Sequence, residues 1–124
     1  MIAKVWLATV LAAVCSLVWA DAAKPFLGTW NVAWQTEGGS YVAEMEITDT
    51  GGSWQTATSR RSNPCFGRKV PIQHDLASAE RLELTLKFSD ILADCKNASV
   101  KLQLNEKGEV VGKRGGYDLT LERK

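Results

Sequence analysis

From Thr29 to the C-terminus, apolar and polar side chains alternate with a period of two, segment after segment. A strand turns successive side chains to opposite faces, so a chain written this way builds sheet with one covered face. The clearest run is 80–88, where Leu82, Leu84, Leu86 and Phe88 oppose Arg81, Glu83, Thr85 and Lys87. Residues 29–35 set Trp30, Val32 and Trp34 on one face; 40–48 set Tyr41, Ala43, Met45 and Ile47; 98–104 set Ala98, Val100, Leu102 and Leu104. Further strands are expected at 53–60, 66–72, 109–113 and 117–123. Turn chemistry separates them: Gly38-Gly39, Asp49-Thr50-Gly51-Gly52, Asn105-Glu106-Lys107-Gly108 and Arg114-Gly115-Gly116. Pro71 marks the end of its strand or a gap beside it. Residues 89–97 break the pattern and suit one helical turn with Ser89 as N-cap.

A different kind of segment precedes the alternation. Met1 to Lys4 carries one positive charge, Val5 to Val14 is apolar apart from Thr9, and Val18-Trp19-Ala20 offers a cleavage site. This reads as a secretion signal over 1–20 cut after Ala20, with a second frame at Ala20-Asp21-Ala22, and the protein as secreted or periplasmic. A lipid-bearing Cys15 is the alternative, but Val14 and Ala12 stand where a lipoprotein signal has a small residue and Leu. Losing Lys4 leaves 14 basic residues against 14 acidic, so the chain after the signal is neutral. That balance argues against general nucleic-acid binding and against a polybasic membrane anchor. No second long apolar run offers a membrane span.

Residues 21–124 then make one small domain. The short turns favour an antiparallel, eight-stranded up-and-down β-barrel, which removes exposed sheet edges. An immunoglobulin-like sandwich competes, but it needs crossovers longer than these turns. If each hairpin reverses the chain, loops near 36–39, 61–65, 89–97 and 114–116 gather at one rim. In an oxidising compartment Cys65 and Cys95 most simply pair with each other, and both fall on that rim. The loop they close is worth about 3–4 kcal/mol by chain-entropy arithmetic.

Phe26-Leu27-Gly28-Thr29-Trp30 resembles the G-x-W opening of the calycin barrels, the lipocalins and avidins. The resemblance implies a calycin-like barrel whose first-strand Trp30 packs at the closed end under a basic residue of the last strand, here Arg123, a cation–π pair. The avidin biotin pattern is not retained: Val32 stands where an inward Asn is needed, Asn31 points outward, and no Trp follows Trp54. Pro64-Cys65-Phe66-Gly67-Arg68-Lys69-Val70-Pro71, with a second Cys about thirty residues on, resembles small secreted bacterial proteins without an assigned activity.

No catalytic set emerges from the residues. His74 is the only histidine, and neither a G-x-S-x-G elbow nor a free nucleophilic cysteine accompanies it. It is expected in a surface or turn role. One His and a disulfide do not make a zinc site, and Asp49-Thr50-Gly51-Gly52 is too short for a calcium loop. The scattered carboxylates show no facing pair. Asn97-Ala98-Ser99 matches a glycosylation sequon.

The rim is the candidate site. Trp34 ends the first strand there and Tyr41 begins the second; Arg60 and Arg68 flank the 61–65 loop, and Lys113 and Arg114 arrive on the last hairpin. Arginine among aromatics suits a protein partner or an anionic or planar ligand. Alternatively, the arginines snorkel to water and the aromatics only plug the barrel. Trp30, Trp34, Met45, Leu84, Leu86 and Leu102 are expected to fill much of a narrow interior. Val42 and Val110 or Val111 are candidates for outer-wall exposure. The expectation is a non-enzymatic, cofactor-free binding or interaction protein, an inhibitor of or adaptor for a protein partner. A lipocalin-like carrier of a small anionic or planar ligand is the alternative.

Overall fold

A computed structural model describes residues 23–57 and 63–124. The expected signal segment, Cys15 and Arg60 lie outside the described residues. Among the described residues eight strands form one closed antiparallel barrel in sequence order: β1 (Gly28–Thr36), β2 (Gly39–Ile47), β3 (Gly52–Thr56), β4 (Val70–Ala77), β5 (Arg81–Leu86), β6 (Ala98–Leu104), β7 (Val110–Arg114) and β8 (Tyr117–Arg123). The up-and-down barrel is therefore the fold, and the sandwich is excluded. β1 closes on β8 through Trp30–Arg123, Val32–Leu121 and the residues between them.

The register carries the alternation inward. Trp30, Val32, Trp34, Met45, Ile47, Trp54, Leu82, Leu84, Leu86, Val100 and Leu102 are all buried. Their neighbours in sequence face water, as a half-covered strand requires. The interior is thus filled by side chains at the middle of the barrel. The two buried indole N–H groups nearest the core are satisfied: Trp30 donates to Phe26 O at 3.0 Å and Trp54 to Thr56 Oγ1 at 2.8 Å. Val42 is 55 % exposed and Val111 37 % exposed, both on the outer wall, whereas Val110 is half-buried.

Several boundaries differ from the sequence reading. Residues 66–69 are not strand; β4 starts at Val70 and runs through Pro71 to Ala77. Gly67 takes φ +80, a left-handed conformation that ends extension, and Cys65 is tied to Cys95 across the rim. β3 and β4 pair only at Ser53–Pro71 and Trp54–Val70, the gap that Pro71 allows by lacking an N–H. Above it the loop closes the seam itself: Gly67 N donates to Thr56 O at 2.8 Å and Gln55 Nε2 donates to Gly67 O at 3.0 Å.

Past the end of the expected 66–72 strand, residues 73–77 are strand as well. A bulge between His74 and Leu76 shifts the register, which hides the alternation. His74 accordingly sits in β4 rather than in a turn, half-buried, with Nε2 2.9 Å from Gly51 O. Phe88 to Asp90 form a 3-10 turn, not strand, and Ser89 lies inside it rather than capping it. The Ser89 N–H is instead taken by the Asn97 side chain at 2.9 Å. Gly52 is required by its backbone: φ is +135, and a Cβ there would fall on the carbonyl oxygen of Glu46.

Candidate functional site

The two ends of the barrel are built differently. At the end where β1 begins, Arg123 closes the floor. Its guanidinium lies 4.2 Å from the centre of the Trp30 ring and donates to Leu27 O and Pro25 O, both at 2.8 Å. The contact ties the last strand to the segment that precedes β1.

The opposite rim holds Trp34, Tyr41, Cys65, Phe66, Phe88, Cys95, Arg114 and Tyr117 on the strand ends and loops. Cys65 and Cys95 form a disulfide with their Cα atoms 5.8 Å apart, joining the loop after β3 to the loop after the 3-10 turn. Trp34 and Tyr41 are register partners across β1 and β2, and their rings stack at 5.6 Å with 19° between planes. Trp54 tilts against Trp34 at 5.6 Å, and Phe66 meets Tyr41 edge-on at 6.0 Å. Trp34 is buried, while Tyr41 and Phe66 are half-buried and carry the aromatic surface outward.

Arg114 sits in the middle of this group. β7 runs one residue further than its apolar pattern suggests, so Arg114 shares the inward face with Val110 and Gly112. Its guanidinium lies 5.1 Å from the Trp34 ring centre and 6.0 Å from those of Trp54 and Phe88. Nε is sealed from solvent and has no hydrogen-bond partner. The described ion pairs, Arg81–Glu83, Lys113–Asp118 and Lys124–Glu44, leave it out. Burial pulls its pKa down from the ordinary arginine value, which records a desolvated cation. Lys113, the neighbouring candidate, faces outward and reaches Asp118 at 3.7 Å.

A carboxylate also belongs to this rim. Tyr117, the register partner of Arg114, donates its hydroxyl to Glu37 Oε2 at 2.7 Å. That bond lowers the pKa of Glu37 and raises that of Tyr117.

The residues expected at the site divide clearly. Trp34, Tyr41 and Arg114 come together. Arg68 does not: it is exposed on the 63–69 loop, because the strand that would have aligned it with Phe66 is absent. Phe66, Phe88, Glu37 and Tyr117 join the rim without being expected there as site residues. Phe88 and Tyr117 carry a signal in the sequence, as apolar or aromatic residues at strand ends on the rim side; Glu37 carries none beyond its turn position.

Surface depressions lie elsewhere. One of about 650 Å³ runs past Ala33, Val42, Glu44, Gln55 and Thr120 and also touches the buried Val32, Ala43 and Thr56, and one of about 310 Å³ lies beside Lys101 and Lys113. Among the described residues no three His, Cys, Asp or Glu side chains converge as metal ligands. Comparison with known proteins finds no matching family model, no matching curated protein and no matching solved structure.

Proposed function

We propose that this is a non-enzymatic interaction protein, calycin-like in build and working outside the cytoplasm, whose disulfide-braced rim binds a protein partner as an inhibitor or adaptor. The observation that carries the reading is the asymmetry of the ends. Arg123 at the floor donates to two backbone carbonyls and is otherwise open to water, whereas Arg114 at the rim is held among Trp34, Trp54 and Phe88 with a buried, unpaired Nε. Arginine, tryptophan and tyrosine are the side chains that dominate protein interfaces. The filled interior supports the rim over a lumen, and so favours a partner over a carried ligand. The disulfide supports it too, since a braced rim loses less freedom on binding.

The test is site-specific photocrosslinking in cells that naturally make the protein. Gly116 is an exposed turn residue beside Arg114 with nothing within 4 Å of an added Cβ, and Lys107 is its exposed counterpart at the other end. Discrete adducts from a photoreactive residue at Gly116, absent from Lys107 and lost on Arg114→Ala, are expected. No adduct from Gly116, or the same adducts from both ends, overturns the reading.

A further inference from the structure

Arg114 is an unusual cation in this chain. A surface arginine ordinarily lays its stem on apolar surface and keeps the guanidinium in water. Here the guanidinium end is the part packed among aromatic rings, at 5.1 Å from Trp34 and 6.0 Å from Trp54 and Phe88. Ring faces offset part of the lost hydration through the cation–π effect, but they accept no hydrogen bond in the plane of the fork. Nε is left buried without a partner. An uncompensated polar group in such a place is costly, and the two Nη groups, which are not sealed and make no described hydrogen bond, are the donors left open to a guest.

We propose that Arg114 is a carboxylate-binding site, and that the partner docks on the rim by presenting an acidic side chain or its C-terminal carboxylate to this guanidinium. The inference rests on the proposed function and names the chemistry of its contact.

Three features select a carboxylate. The planar fork matches two carboxylate oxygens in a bidentate pair, and the rings of Trp34, Trp54 and Phe88 pack around it. The fold has already taken Nε and one side of the guanidinium out of water, so an arriving anion meets a partly desolvated donor. Charge limits the guest to one negative unit. Glu37 stands on the same rim, and Tyr117 holds it in its ionised form. A doubly charged phosphate meets repulsion there with a single arginine to offset it. Lys113 is turned away toward Asp118 and does not supply the second positive charge.

The test is an NMR titration of the full chain, following the side-chain Nε–H of Arg114 and the indole N–H of Trp34. The probes are a tripeptide amide ending in Glu, triglycine with a free C-terminus, and inorganic phosphate. At least one of the two carboxylate probes should give saturable shifts of both resonances, and whichever does identifies the source of the carboxylate. Arg114→Lys should weaken that binding about tenfold, and Arg114→Gln should abolish it. Lys101→Gln, on the outer wall, should leave it unchanged. Backbone spectra of both Arg114 variants should match the parent away from the rim.

Absence of saturable shifts with both carboxylates sinks the proposal, as do equal shifts with phosphate or undiminished binding in Arg114→Gln. The two readings fail separately. Adducts from Gly116 without carboxylate binding leave the rim interface standing and remove this inference. Carboxylate binding without adducts leaves the Arg114 carboxylate site standing and removes the docked partner.

Discussion

Replacing Arg123 by alanine removes the floor of the barrel, and its cost can be worked from the contacts. The substitution deletes two hydrogen bonds to backbone carbonyls, to Leu27 O and Pro25 O at 2.8 Å each, and a guanidinium 4.2 Å from the Trp30 ring centre. Arg123 is exposed, so each charged bond counts for about 0.5–1 kcal/mol rather than the buried figure. The cation–π contact adds about 0.5–1 kcal/mol. The total is about 2 kcal/mol. In a domain near 100 residues each kcal/mol moves the unfolding midpoint by about 4–8 °C, so Tm should fall by about 8–16 °C. Thermal unfolding followed by far-UV circular dichroism and by calorimetry reads this directly. Arg123→Lys keeps a charge near the ring but has no fork to span two carbonyls, and should fall between parent and alanine. A drop of under about 2 °C for Arg123→Ala, with near-UV tryptophan signals unchanged, refutes the claim that this residue closes the floor.

Two further perturbations follow from other parts of the barrel. The double variant Cys65→Ala, Cys95→Ala opens a covalent loop of sequence separation 30 and should cost about 3–4 kcal/mol in urea unfolding; a cost under about 1 kcal/mol contradicts a bracing role. Asp75 accepts hydrogen bonds from Thr85 and Gln73, which hold its pKa below the ordinary 3.8. Because the folded value is the lower one, the stability it contributes is fully present above pH 3.8 and is lost as pH falls through the folded value. Asp75→Asn should therefore flatten the acid limb of the stability curve while leaving the region above pH 6 parallel to the parent; an unchanged acid limb counts against the bond.

Much of this architecture is legible in the amino-acid sequence, and the exceptions have physical causes. β5 and β6 read cleanly because their pairing is unbroken from Arg81–Gln103 to Leu86–Ala98, so every second residue meets the interior. The Cys65–Cys95 bridge is legible from chain direction alone, since an even number of strands separates the two loops and returns the chain to the same rim. β4 departs from its pattern for two local reasons that composition does not display. Gly67 adopts a left-handed conformation under an alternation that looks extended, and the bulge at Asp75 puts polar residues where the period expects apolar ones. The first of these is why the pattern sets Arg68 on the aromatic face, from which the structure removes it. Arg114 is legible as a rim residue but not as an inward one. Its orientation depends on β7 continuing one residue past Lys113, a register set by pairing with Val100 and Tyr117 rather than by its own neighbours in sequence.

The central claim is that this protein acts through the braced rim and not through its outer wall or floor. Hydrogen–deuterium exchange of the complex with the partner crosslinked from Gly116 tests it most directly. Protection should concentrate in 34–41, 63–68, 88–97 and 114–117, with the strongest change around Arg114 and Trp34. Protection centred on the outer wall at Ala33, Val42 and Thr120, or on the floor around Lys24–Phe26 and Arg123, with the rim exchanging as in the free protein, contradicts the account.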